Sequence, residues 1–302
     1  AKAAAHTAEL SLARYFQPEG KLLSPMPMVN ILSGGAHANR TMDIQDVLVL
    51  PNGATSFAEA LSWIVAIREL AASKGAKSGA ITHLIADEGG LGIAFPTIDH
   101  ALEFVTECIS GVGLSPEKDV SLAIDVASTQ FFDGTNYNLT ALNKKFSSGE
   151  FISFISKLVS EHPVLSIEDP FAEDDWQSWT QFMSMAPSKL QVLGDDLFTT
   201  NLARLQRGID EKSANAILIK ANQNGLVTST QKVLTTAQAN NFKTVVSARS
   251  GETEDSWLAD LATGWRASQI KVGSTHGADR TAKWNRLLEL EATENCEFAK
   301  PF

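Results

Sequence analysis

The chain has 302 residues, 44% of them hydrophobic, and a formal net charge of −10, enough apolar content for one large domain or two smaller ones. The acidic balance, without a basic run, excludes nucleic acid as an expected partner; an anionic substrate would need local cations or a metal in its cleft. No apolar run approaches the roughly 18 residues of a membrane span, and two cysteines, Cys108 and Cys296, without metal-ligand spacing, point to a reducing, cytoplasmic compartment.

Residues 1–12 have neither a basic n-region nor a continuous apolar h-region and do not read as a signal peptide. They open in what reads as mid-helix, which predicts that an upstream portion is missing. A helix is predicted over 3–16, then a loop over 17–27 broken by Pro18, Gly20, Pro25 and Pro27. Residues 1–27 are thus a lead-in, and 28–302 the main domain. Strands follow over 28–32 and 44–50, close enough in sequence to pair antiparallel. Residues 56–72 read as a helix with Ser56 and Glu59 as a capping box. A strand over 81–86 ends in Asp87-Glu88-Gly89-Gly90. A helix over 99–110 has Asp99 as its N-cap.

From there short apolar runs end in charged or polar residues: Asp125, Glu168, Asp195, Lys220, Ser247 and Lys271, at intervals of 43, 27, 25, 27 and 24 residues. Runs of this length between helical segments read as strands buried on both faces. Six strand–helix units plus the earlier strands make about eight, the arithmetic of a (β/α)8 barrel with its chemistry on the strand ends. An open doubly wound sheet is the rival, but no Gly-rich dinucleotide fingerprint follows the first strand.

A lone strand-end acid commonly caps the next helix or pairs with a lysine. Three at matching positions, Asp125, Glu168 and Asp195, point to an all-oxygen site for a hard cation such as Mg²⁺. Asp169 and Asp196 would support them from behind. Lys220 ends an apolar strand and is a candidate base near neutral pH, or else an ion-pair partner of one of the acids. Lys271 and Arg249 would hold a carboxylate and a phosphate. Glu88, in a tight glycine loop, is a candidate general acid, and His37 a candidate pocket residue. Together these groups suit proton abstraction α to a carboxylate.

Four runs carry a resemblance: Ser166-Ile167-Glu168-Asp169-Pro170-Phe171, Asp87-Glu88-Gly89-Gly90, Lys220-Ala221-Asn222-Gln223, and Arg249-Ser250-Gly251-Glu252-Thr253-Glu254-Asp255. With them the chain resembles the enolase (phosphopyruvate hydratase) family from about residue 28 to 291. The resemblance implies an α/β fold, a modified TIM (β/α)8 barrel beginning with an antiparallel strand pair. It implies a Mg²⁺-dependent lyase that dehydrates 2-phosphoglycerate to phosphoenolpyruvate with a Lys base. Asp125, Glu168 and Asp195 would bind Mg²⁺, Lys220 would take the C2 proton, and Glu88, paired with Asp46 and with Gln45 nearby, would assist loss of the C3 hydroxyl; Asp46 and Gln45 would contact substrate. Lys271 would hold the carboxylate side, Arg249 and Ser250 the phosphate, with His37 in the same pocket. The family's usual state implies a homodimer.

Departures from the family pattern are expected to matter. Its N-terminal α+β domain is absent. A substrate-contacting His is replaced by Ala248, the Glu of its Gln-Glu-Phe run by Asp46, and its Arg-Ser-Glu-Arg reads Gly277-Ala278-Asp279-Arg280. The alternative is a divergent enzyme acting on a related phosphorylated or phosphonylated carboxylate. A non-catalytic protein is opposed by the complete set of metal acids and Lys220.

Overall fold

Short segments whose side chains alternate between two apolar environments build the centre of the molecule. In the computed structural model, which describes residues 1–302, the strands are β1 (Leu22–Ser24), β2 (Met26–Ser33), β3 (Asp46–Leu50), β4 (Ser121–Asp125), β5 (Asn136–Leu139), β6 (Lys144–Ser147), β7 (Val164–Glu168), β8 (Gln191–Gly194), β9 (Ala216–Ile219), β10 (Lys243–Ser247), β11 (Gln269–Gly273) and β12 (Cys296–Phe298). The helices are α1 (Lys2–Thr7), α2 (Leu12–Phe16), α3 (Phe57–Lys77), α4 (Ile98–Gly111), α5 (Ser148–Glu161), α6 (Trp176–Met185), α7 (Leu202–Glu211), α8 (Ala221–Asn224), α9 (Val227–Ala239), α10 (Trp257–Gly264) and α11 (Ala278–Thr293). Strands β2, β3, β4, β7, β8, β9, β10 and β11 close in that order into a barrel. The pairs β2–β3 and β3–β4 are antiparallel; the others are parallel. Two strands, two helices and six strand–helix units are the expected modified barrel with its antiparallel start.

Both faces of the strands are buried, which is why they read as continuous apolar runs. Inward residues such as Met26, Met28, Leu48, Ala123, Leu193, Leu218 and Val245 pack on one another inside the barrel. Their neighbours Val29, Val47, Ile124, Ile217 and Ile270 face outward and pack with Phe57 and Ile64 of α3 and Phe151 and Ile155 of α5. Side chains alternate with a period of two, so the next inward positions above the apolar layer are Asn30, Asp125, Lys220 and Lys271. β3 runs the opposite way, so its first residue, Asp46, pairs with Asp125 at the same rim.

Several expectations are corrected. The helix over 3–16 is two helices, broken at Glu9 with φ 54 and restarted by the Ser11 cap. Ser56 caps α3 by accepting from the Glu59 N–H, but the Glu59 carboxylate returns to the Thr55 N–H. Thr97, not Asp99, caps α4. Residues 81–86 form no strand: the barrel position is taken by the β2–β3–β4 run, and Ile81, Leu84 and Ile85 are exposed. The hairpin β5–β6 occupies the long interval between Asp125 and Glu168 and was not anticipated. The barrel begins at Met26 rather than 28. The lead-in packs onto it: β1 pairs with β12, and Phe16 meets Trp265 edge-on at 5.5 Å. No helix is long and apolar enough to cross a membrane.

Candidate active site

The rim of the barrel at the carboxyl ends of its parallel strands encloses a cleft of about 190 Å³. Nine of the eleven expected site residues line it: His37, Gln45, Glu88, Asp125, Asp195, Lys220, Arg249, Ser250 and Lys271. Glu168 and Asp46 lie behind the wall, 1% and 0% exposed.

On one side of the cleft the strand-end acids are drawn onto two lysines. The Lys271 ammonium, 6% exposed, lies 2.6 Å from Asp125 and 2.7 Å from Glu168. The Lys220 ammonium donates to Asp195 at 2.5 Å. Asp125 and Glu168 are thus bridged by Lys271, and Asp195 is paired with Lys220. Ligand atoms come within 4.8 Å of one another in two groups, Asp169, Asp195 and Asp196 on this side and His37, Asp46 and Glu88 on the other. Asp169, held in the left-handed region at φ 41, accepts the backbone N–H groups of Asp195 and Asp196 at 2.9 and 2.7 Å. It fixes the turn that presents Asp195, the supporting place expected of it.

Charge states follow from burial and pairing. Burial disfavours the Lys220 ammonium, but Asp195 outweighs it and raises the pKa above the usual lysine value. Lys220 is thus held as a cation here, in the ion pair with an acid that was the stated alternative to a lysine that readily loses its proton. Burial likewise opposes the Lys271 charge, and Asp125 and Glu168 raise it well above normal. Burial works against ionisation of Asp125, yet Lys271 holds that carboxyl below the usual range. Burial, then the neighbouring Asp125, pushes Glu168 well up, and burial with Asp195 pushes Asp196 up to about 6. Two buried carboxylate oxygens, Glu168 Oε1 and Asp195 Oδ1, have no hydrogen-bond partner. Buried polar atoms are rarely left so; orphaned oxygens in an all-oxygen set fit a hard divalent cation.

The opposite side is a hydrogen-bonded string. His37 Nδ1 lies 3.1 Å from Asp46 Oδ2, and His37 Nε2 lies 3.1 Å from Ser250 Oγ. Ser250 donates to Glu88 Oε1 at 3.1 Å. Burial lowers the His37 pKa, but Asp46, Glu88 and Asp125 together raise it to about 9. Burial pushes Asp46 up to about 6 against the pull of His37, so the pair is charged between those values. Asp46 was expected to touch substrate; the structure instead places it fully buried beneath His37. Gln45 donates to Asp125 at 3.2 Å and accepts from Gln130 at 2.6 Å.

Two organising residues escaped sequence reasoning. Arg280, 1% exposed, donates to the carbonyls of Arg249 (2.8 Å), Ser250 (2.6 Å), Val272 (3.0 Å) and Asp87 (3.5 Å). It ties the Ser250 loop to the Glu88 loop; in the run Gly277-Ala278-Asp279-Arg280 it is the one residue that keeps the family's pattern, which was the available signal. Asn30 binds Asp46; the alternation Met26, Met28, Asn30 along β2 was a signal that could have placed it inward.

A family model described as enolase, C-terminal TIM barrel domain, matches residues 21–299. That span takes in every barrel strand and every residue of the cleft. The match and the barrel with its antiparallel opening agree: the chain belongs to the enolase family, matching its C-terminal TIM barrel domain.

Proposed function

We propose that the chain is a Mg²⁺-dependent lyase that dehydrates 2-phosphoglycerate to phosphoenolpyruvate. The observation that carries this reading is the placement of a base and an acid on opposite walls of one cleft. β9, which Lys220 directly follows, is four strands from β3 in the eight-strand barrel. The Glu88 loop lies over β2, with Leu91 N–H bonded to the Ile31 carbonyl at 2.9 Å and the Glu88 carbonyl accepting from the Ser274 N–H at 2.8 Å, and the Glu88 carboxylate faces His37, 4.0 Å from its Nε2. A C2 proton removed from one face and a C3 hydroxyl lost from the other need that separation.

Asp125, Glu168 and Asp195 are the residues that would hold the ion. When bound, it supplies neutralisation of the charge that develops on the substrate carboxylate. The Lys220 amine accepts the C2 proton. Its base form requires the Asp195 charge to be engaged elsewhere, and Asp195 is the carboxylate with an orphaned oxygen. Lys271, fixed between two acids, presents its charge to the substrate carboxylate without reorganising. The Glu88 carboxyl gives a proton to the C3 hydroxyl, which leaves as water. Arg249 and Ser250, both exposed at the mouth, take the phosphate. A cleft of about 190 Å³ suits a three-carbon phosphate rather than a larger ligand.

One observation favours the second reading, a related phosphorylated or phosphonylated carboxylate. Ala248, 6% exposed, lines the cleft where the family carries a histidine, which leaves space for a different substituent. The test is phosphoenolpyruvate absorbance from 2-phosphoglycerate with Mg²⁺, expected in the wild type and lowered ~10³-fold in Lys220→Ala. Exchange of the C2 proton without dehydration favours the second reading; neither exchange nor dehydration contradicts the first.

A further inference from the structure

Asn30 is an inward residue of β2 and is 0% exposed. Its amide nitrogen donates to Asp46 Oδ1 at 2.5 Å and to Ser33 Oγ at 2.9 Å. The orientation of that amide is fixed chemically, because only its NH₂ end can face a carboxylate. Residues three apart on a regular strand point to opposite faces. Here the β2–β3 register shifts between Asn30 and Leu32, and the extra residue turns Ser33 to the same side as Asn30. The irregularity therefore builds a small polar platform under Asp46.

Asp46 is wholly buried and has two side-chain partners, Asn30 on Oδ1 and His37 on Oδ2. Since Asp46 does not line the cleft, it reaches the reacting atoms only through His37, Ser250 and then Glu88. The Glu88 loop also rests on the platform directly. A Cβ at Gly90 would lie 2.4 Å from Ser33 Oγ and 2.9 Å from Asn30 Oδ1, so backbone and platform are in contact.

Resting on the reading above, we propose that Asn30 is a positioning residue for the acid half of the reaction: it locks Asp46, so that His37 and Ser250 hold the Glu88 carboxyl aimed into the cleft. Lys220, on the far wall, does not depend on it.

The test separates the two half-reactions. Exchange of the C2 proton of 2-phosphoglycerate with D₂O reads Lys220; formation of phosphoenolpyruvate reads both sides. Asn30→Asp keeps the shape and places an acceptor against Asp46. It should lower dehydration ~10²-fold, the effect of an ångström-scale misplacement, with exchange unchanged. Combining Asn30→Asp with Asp46→Asn restores a donor–acceptor pair and should recover dehydration. Parallel loss of exchange and dehydration, or loss of neither, overturns the proposal. Should the wild type perform neither reaction, the proposed function falls, and the proposal is decided by proton NMR of the full chain. The hydrogen-bonded His37 Nδ1–H resonance should shift in Asn30→Asp; an unchanged resonance overturns it.

Discussion

The two walls of the cleft are built in different ways. On the base wall, Asp125, Glu168, Asp195, Lys220 and Lys271 stand on the ends of parallel strands and meet in direct ion pairs. On the acid wall, Asp46 belongs to an antiparallel strand, and His37, Glu88 and Ser250 come from three loops. That wall relies on a strand irregularity and on left-handed residues, Gly35 (φ 43), Asn39 (φ 52), Arg40 (φ 57) and Gly89 (φ 85). A strand end delivers a charge to the rim with little further support. A loop delivers a donor that a third residue must hold, and Asn30 and Arg280 do the holding. The departure at Asp46 falls on the acid wall, and the one at Ala248 just beside it.

The comparison breaks most visibly if damage to the acid wall is not local. Arg280→Met leaves four carbonyls without their donor and should cost about 3 kcal/mol of stability, read by denaturant unfolding. Mg²⁺ should still raise the melting temperature of this variant, because the base wall is untouched. Gly90→Ala drives a methyl into Ser33 and Asn30 and should cost about 2 kcal/mol. A neutral result would mean the platform yields freely. For the base wall, Asp195→Asn should diminish the Mg²⁺-induced rise in melting temperature; an unchanged rise removes Asp195 from the ligand set.

The smallest expected effect is in pH. The His37 pKa is raised from 6.5 to about 9, so, with Asp46 ionised above about 6, its stabilising contribution is present near pH 6.5 and is lost as pH climbs through 9. Wild-type melting temperature should therefore fall relative to His37→Gln over that window. Parallel profiles would show that the His37–Asp46 pair adds nothing to the fold.

What could be read from the residues follows the same division. Charged ends on apolar runs, repeated at intervals of 24 to 27 residues, made the barrel and the base wall legible, because burial on both faces leaves the strand end as the one place for charge. The third acid, Asp125, came from the same rule despite the β5–β6 hairpin inserted after it. The acid wall was legible only as motifs. Asp46 was placed against substrate because side-chain length shows in a sequence and depth does not. The apolar run over 81–86 mimicked a strand because nothing local reveals that the barrel is already closed by β2, β3 and β4. Lys220 could be read as a base or as an ion-pair partner of one of the acids, since which acid it would meet was settled by packing across 25 residues. Arg280 was passed over, although it keeps the family's pattern, because its partners are backbone carbonyls.

The central claim is that the two walls do separate chemical work. The most direct measurement follows Glu88→Gln in D₂O with Mg²⁺ and 2-phosphoglycerate, recording C2 exchange and phosphoenolpyruvate formation together. The account predicts that dehydration drops by ~10²-fold or more while exchange continues at the wild-type rate. Exchange falling in step with dehydration would contradict it.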